Sequence, residues 1–466
     1  GVEAMTAYGP TPRRYDETRQ FTEGAPARIS LGEGYRPLFV SGLTVAFLLY
    51  SLVGTNPFPN DFAGDTSSGS PLSRLVFLGL LGVGSIILWE RRDAAFGVLK
   101  RNWLMVAVLG WLLASMVWSD HPGLTVRRSG FLIVGFLIAL AIAVGTDDPG
   151  RFLKAVAGTL FVVLFINLVS VFAVPHLAVE ELGARGMHPQ KNTAGAVAML
   201  GFVALVIAGT GVRRLGWFLA LLGALAVVLM FMVLTKSKTS LGLSGIFLAF
   251  ILPVAIGLAR GRLVSLILLM FAFLVLGFAL LFIGALGWGW PQILEAAFGD
   301  ETFTGRTDIW EFAFLHIWQR PFLGTGYGAF WDVGAENDPL RFANSWLRDV
   351  ELGVINQTHN GYVDLWLQAG LPALFGGILI TLRGLWVSGK LLVRERDSGT
   401  HWSGPGIVFA TLSILTVYNL MESALLSRVH FLSNVIFLLL LLADRWSMST
   451  DAALRQREQD ARVWER

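Results

Sequence analysis

The stretch Gln357-Thr-His-Asn-Gly-Tyr-Val-Asp-Leu-Trp366 sets an imidazole, a phenol and a carboxylate at the mouth of an apolar segment. A neutral imidazole, whose ordinary pKa is near 6.5, takes a proton from a hydroxyl at ambient pH, so His359 is a candidate general base. On a helix starting here, His359, Tyr362 and Trp366 share one face, with Asp364 about a turn deeper. An ionisable group at that depth reads as functional; a helix-end histidine wetted by lipid headgroups is the plain alternative. His188, in Met187-His-Pro-Gln-Lys-Asn192, is the second candidate base.

The segments that must hold these groups are apolar. Hydrophobic residues make up 54% of the 466 and charged residues 15%, against roughly 25% charged in an ordinary soluble domain, and the mean hydropathy is +0.61. Apolar blocks of about 16 to 25 residues match a hydrocarbon core of about 30 Å at 1.5 Å per residue. They predict spans at 38–54, 72–89, 103–118, 130–145, 152–174, 193–211, 215–235, 240–259, 263–287, 362–386, 404–421 and 429–443. The expected fold class is an all-α polytopic membrane protein with about 12 transmembrane helices and one large periplasmic loop containing amphipathic helices. Its parts are a cytoplasmic tail (1–36) expected to be disordered, a single transmembrane domain (37–446) that includes the periplasmic loop 288–358, and a cytoplasmic C-terminal tail (447–466).

No cleavable signal peptide is read, which makes the first span an anchor. Zero cysteines exclude disulfides, thiolate nucleophiles and zinc–thiolate sites. An even number of spans puts both termini on one side. Of the 36 lysines and arginines, twelve fall on the other, so the charge rule makes the termini cytoplasmic. Trp103, Trp118, Trp288, Trp290, Trp386, Trp402 and Trp446 cluster near predicted span ends and read as interface anchors.

Basic residues outside work against that topology and ask for another reason. They are Arg74, Arg127, Arg128, Arg185, Lys191, Lys236, Lys238, Arg306, Arg320, Arg341, Arg348 and Arg428. Snorkelling to lipid phosphates explains any single one, whereas a convergent set would hold a diphosphate. Lys236 and Lys238 flank a tight turn between two spans, and Arg306 opens the loop's most helical stretch. There Ile309, Trp310, Ala313, Ile317 and Trp318 fall at helical spacing and predict a helix lying in the outer interface, with Thr304 and Asp308 as cap and first-turn residues. Gly324-Thr-Gly326-Tyr-Gly328 reads as a turn, since no buried strand precedes it and no Lys-Ser/Thr follows. Glu336-Asn-Asp338 and Asp349-Val-Glu351 have the chemistry to hold a cation or sugar hydroxyls. A solvated surface is the plainer reading, and no metal or other cofactor is expected.

Taken together, Thr304-Gly-Arg-Thr-Asp-Ile-Trp310, Pro321-Phe-Leu-Gly-Thr-Gly-Tyr-Gly328 and Thr358-His-Asn-Gly-Tyr-Val-Asp-Leu-Trp-Leu-Gln-Ala-Gly-Leu-Pro372 resemble the O-antigen ligase and polymerase superfamily, the Wzy-type membrane glycosyltransferases. Met187-His-Pro-Gln-Lys-Asn192 and Leu234-Thr-Lys-Ser-Lys-Thr-Ser240 look like the family upstream, and Asn419-Leu-Met-Glu-Ser423 with Arg428 is similar to the exopolysaccharide polymerase branch. The resemblance implies an inverting, GT-C-like glycosyltransferase of the bacterial inner membrane with a periplasmic active site. Its donor would be a glycan on undecaprenyl diphosphate, passed to an acceptor sugar hydroxyl without any nucleotide sugar or nucleic acid. By the same resemblance Arg306 contacts the diphosphate and His359 activates the acceptor. Lys238 stands where the family usually has arginine, and an ammonium is a point charge that cannot grip phosphate bidentately; Lys236 shares the work.

The wider substrate-binding set is Arg185, Lys191, His188, Tyr362, Asp308, Glu422 and Arg428, and a covalent route would need a carboxylate nucleophile such as Asp308 or Glu422. A chain-length regulator is a candidate partner. Two other functions stay open: a ligase acting on a lipid or protein acceptor, and a transporter or flippase for the lipid-linked oligosaccharide, whose site would lie near the bilayer midplane.

Overall fold

The computed structural model describes residues 35–59, 70–285, 305–351, 353–398, 402–427 and 431–464. Most of the tail 1–36, as well as Trp288, Trp290, Thr304 and Arg428, lies outside them.

Helices dominate because the apolar blocks satisfy their backbone groups internally, the requirement of a lipid solvent. Prolines open α2 (Pro71–Glu90), α5 (Pro122–Gly145) and α6 (Pro149–Ala173), where a missing N–H costs nothing. Ser70 and Asp148 cap two of these by accepting backbone N–H groups. With α1 (Arg36–Val53), α2, α5 and α6 form one part of the bundle. After the four-residue α7 (Pro175–Ala178) and a two-stranded hairpin (Val179–Glu180 with Gly183–Ala184, antiparallel) come α8 (Lys191–Gly209), α9 (Leu215–Leu234), the run α10 (Lys238–Ile246) to α11 (Leu252–Arg260) joined by one π-helical turn, and α12 (Arg262–Ala285). The loop helix α13 (Arg306–Gln319), then α14 (Gly361–Ser398), α15 (Ser403–Tyr418) and α16 (Leu432–Trp464) complete the order. α5, α8 and α16 are mostly enclosed, while α2 and α9 turn most of their surface outward. α16 continues as helix through the expected tail as far as Trp464.

Among the described residues nine helices are long and apolar enough to cross a membrane, with a tenth if α3 (Arg92–Arg101) and α4 (Trp103–Ala114) count as one. The twelve expected segments all contain helix, but Leu266–Leu281 and Ser403–Tyr418 are shorter apolar stretches. The segment expected at 103–118 is one arm of an element bent by 82°. At the bend Asn102 donates to Val98 O (3.0 Å) and to Asp444 (2.9 Å), so a side-chain amide and a buried carboxylate hold the corner. Trp402 and Trp446 are also not anchors: both are buried, and the Trp446 indole donates to Thr146 O.

The loop between α12 and α14 carries its own core. Ile309, Ala313 and Ile317 of α13 pack with Phe330, Trp331, Leu340, Leu347 and Leu367. Three of the five residues of the expected membrane-lying face are thus covered by protein, because the loop and α14 supply apolar partners. Leu315, Trp318 and Phe322 remain exposed as an apolar edge.

The turn at 324–328 is wedged between α5 and α14. Tyr327 is buried and donates to Leu426 O (2.7 Å), Gly328 N donates to Gln368 (2.8 Å), and the Arg128 guanidinium donates to the carbonyls of Gly328, Trp331 and Asp332. Opposite it α14 breaks at Gly370, φ 74, where a Cβ would collide with the Phe322 carbonyl. Gly370→Ala is therefore expected to cost about 2–4 kcal/mol from left-handed backbone and overpacking. It should read out as a lowered melting temperature in detergent.

Candidate active site

Three residues far apart in the chain meet at one carboxylate. Glu422, whose side chain is 2% exposed, accepts from the Arg306 guanidinium at 3.0 Å on Oε1 and bonds His359 Nδ1 at 2.7 Å on Oε2. Gln357 adds a donor to Oε2 (3.3 Å) and Asn192 one to Oε1 (3.4 Å).

Each member is placed by local structure. Arg306 is the first residue of α13, and one turn on the Trp310 indole donates to Thr358 O (2.9 Å). One helix thus fixes both the guanidinium and the residue next to His359. His359 is not on a helix face: it sits before α14 with φ 55. Asn360 takes the cap instead, accepting from the backbone N–H groups of Tyr362 and Val363, and this leaves the imidazole in the loop. Buried Asp364 ties the loop down, accepting from Thr358 N (3.2 Å), the Trp331 indole (3.0 Å) and the Ser423 hydroxyl beside Glu422. Asn419 accepts from Ala424 N and Leu425 N, which shapes the turn that aims Glu422 inward.

Chemically, a carboxylate on Nδ1 holds the imidazole proton there and leaves Nε2 with its lone pair outward, the arrangement of an oriented general base. A guanidinium has five N–H donors. Arg306 gives one to Glu422 and makes a longer contact with the Met421 sulfur (3.8 Å), so it has the means to bridge that carboxylate to an anionic group. Glu422 is thus enclosed, with two donors on each of its oxygens.

A cavity of about 440 Å³ adjoins this cluster through Gln357. Arg74, Arg127 and Arg128, three of the outer basic residues, line it together with Gln190, Asn356 and a stack of Tyr50, Phe77 and Phe131 at 4.9 Å centroid spacings.

The other expected residues fall in a second group or outside both. Lys191, Lys236 and Lys238 lie within electrostatic reach of one another with Glu180 as the nearby acid, and Lys236 and Lys238 are exposed. This group meets the first through Asn192, next in sequence to Lys191. Arg185 is a buried clamp, donating to Leu177 O (3.0 Å) and Pro59 O (2.7 Å) beside Glu180. Tyr362 packs on the transmembrane core. Asp308 accepts from the Trp346 indole, and Asp338 caps its own turn through Leu340 N.

His188 is fully enclosed against Asn167, whose amide lies 3.1 Å from Nε2. Burial pushes its imidazole down to about 4, so it stays neutral at ambient pH. An unfolded chain binds that proton from pH 6.5 downward while the folded one does so only near 4. Stability is therefore lost as pH falls through that window, by up to about 3 kcal/mol. Melting curves in detergent from pH 7 to 4 should show this slope in the native chain and a flatter one in His188→Gln.

Sequence reasoning missed Gln357, Asn192 and Asn419, and it noted Asp364 for its depth without a partner. They are uncharged or span-embedded polar residues, and only the polar motifs around His359, His188 and Glu422 hinted at them.

Residues 225–378 match a family model described as O-Antigen ligase, and the segment carries Lys236, Lys238, Arg306 and His359. Over that third of the chain it is similar to the O-antigen ligase family. A Rhizobium meliloti (strain 1021) protein described as "Exopolysaccharide production protein ExoQ" is 23% identical over 331 residues, which is 69% of this chain and 72% of the relative.

Proposed function

We propose that this protein is a polysaccharide polymerase that joins glycan repeat units carried on undecaprenyl diphosphate at the periplasmic face of the bacterial inner membrane, with both termini cytoplasmic. The observation that carries the reading is the single carboxylate, Glu422, bonded at once to His359 and Arg306. In the proposed step an acceptor sugar hydroxyl gives its proton to His359 Nε2 and its oxygen attacks the anomeric carbon. The bond to the diphosphate breaks with its electron pair on the leaving group, and one displacement inverts the centre. Arg306 neutralises charge as it develops on the diphosphate, with Lys238 and Lys236 on its far side. The 440 Å³ cavity with its aromatic stack and arginines suits a glycan beside that diphosphate.

The description of the matched family favours a second reading, transfer of a finished glycan to a different acceptor. Purified protein in detergent, given the lipid-linked repeat unit, should release polyprenyl diphosphate and build a glycan ladder still attached to carrier lipid. Product found only on a non-carrier acceptor would favour the ligase. No glycosidic bond, with the lipid-linked sugar crossing a vesicle membrane, would overturn both in favour of a flippase. A chelator is expected to leave the rate unchanged.

A further inference from the structure

At the opposite end of the bundle a second charged cavity has no part in this chemistry. Along α14, Gly361 and Arg383 are separated by about 33 Å of helix, roughly one hydrocarbon thickness. There a cavity of about 450 Å³ opens at the corner between α3 and α4. Five cations line it: Lys100, Arg101, Arg383, Lys390 and Arg394.

Two carboxylates answer them. Asp444, 1% exposed, holds Arg383 through two bonds (2.7 and 2.8 Å) and Asp451 bridges Arg394 (2.5 Å) and Arg101 (3.1 Å). Both acids are thereby engaged. Lys390 lies over the Trp386 ring at 4.6 Å, and among the described residues neither it nor Lys100 has an acid partner. The cavity therefore carries surplus positive charge at fixed positions.

Its walls say what kind of anion fits. Trp103 and Trp386, 66% and 65% exposed, stand at the rim, where indoles sit at headgroup depth. α3 meets α4 at 82°, buries Ala95 and Val98 against the bundle and turns Phe96 outward, as an amphipathic element lying along a membrane surface does. A cation-lined pocket between helices, rimmed by tryptophan and open at the bilayer surface, matches a phosphodiester with acyl chains below it.

We propose that this cavity binds the headgroup of an anionic phospholipid in the leaflet opposite the candidate active site. Lys100 and Lys390 face the phosphate, while the Arg383–Asp444–Asn102 corner sets the pocket's floor.

The test is lipid retention. The full-length protein is assembled in nanodiscs of phosphatidylglycerol and phosphatidylcholine in equal parts, extracted into detergent, and its bound lipid quantified by mass spectrometry. The native chain should be enriched in phosphatidylglycerol. Lys100→Gln/Lys390→Gln should lose that preference by about thirtyfold, from the roughly fivefold that each surface lysine contributes. Arg213→Gln/Arg214→Gln, two exposed basic residues between α8 and α9 at the same end of the bundle, should keep it. No enrichment in the native chain, equal enrichment in the double lysine variant, or equal loss in the arginine control would overturn the proposal. So would displacement of the lipid by millimolar glycerophosphate, which would assign the cavity to a soluble phosphate.

Discussion

His359→Asn is expected to lower glycan transfer by about 10²- to 10⁴-fold, the range that a positioned general base supplies, with membrane abundance unchanged. Asparagine is the informative replacement because His359 holds φ 55, a conformation that Asn adopts more readily than Ala. The loop that Trp310 and Asp364 hold through Thr358 should survive. The amide retains a donor toward Glu422 but has no basic nitrogen for the acceptor hydroxyl. Chain length on carrier lipid, resolved by electrophoresis after a timed reaction, measures the effect. A ladder of native length from this variant would remove His359 from the chemistry.

How far the sequence announced this site depends on residue type. Arg306 and His359 stood out because charge or a titratable ring outside apolar spans has few plain explanations. His188 stood second to it, and its burial against Asn167, with no carboxylate among the described residues on its ring, sets it apart from His359. Glu422 was visible as an acid near a span end, but its role was not. The chain distance between Glu422 and Arg306 is 116 residues, and no local pattern says which cation an isolated acid will meet.

The spans were legible because lipid demands long apolar runs. Their ends were less so. α5 begins at Pro122, well before the expected 130, since Arg127 and Arg128 read as exterior charge. Arg128 instead spends its guanidinium on three loop carbonyls within the protein, a partner set only the fold supplies. Two of the tryptophans fail as anchors for the same reason: Trp402 and Trp446 sit at span ends in sequence yet pack inward.

The other large effect concerns the carboxylate. Glu422→Ala should cost about 3–5 kcal/mol of stability, because it leaves the Arg306 guanidinium, 11% exposed, without its counter-charge. Lost activity in that variant alone would prove little. Glu422→Gln separates the two roles, as it keeps the volume and a single acceptor oxygen. An amide cannot accept from both Arg306 on one side and His359 Nδ1 on the other, so one contact must give way. If the imidazole loses its orienting acceptor, kcat should fall by about 10²-fold or more while KM for the lipid-linked donor changes little. A companion double variant, Arg306→Met/Glu422→Leu, should recover folding by removing both charges together, yet stay inactive. Were Glu422→Gln to melt as the native chain does and keep its kcat, the carboxylate would be a buried strut and the orientation of His359 would have to come from elsewhere. The coupling of 306, 422 and 359 predicts the opposite: a kcat that falls with the charge on one buried oxygen pair, in a chain that still folds.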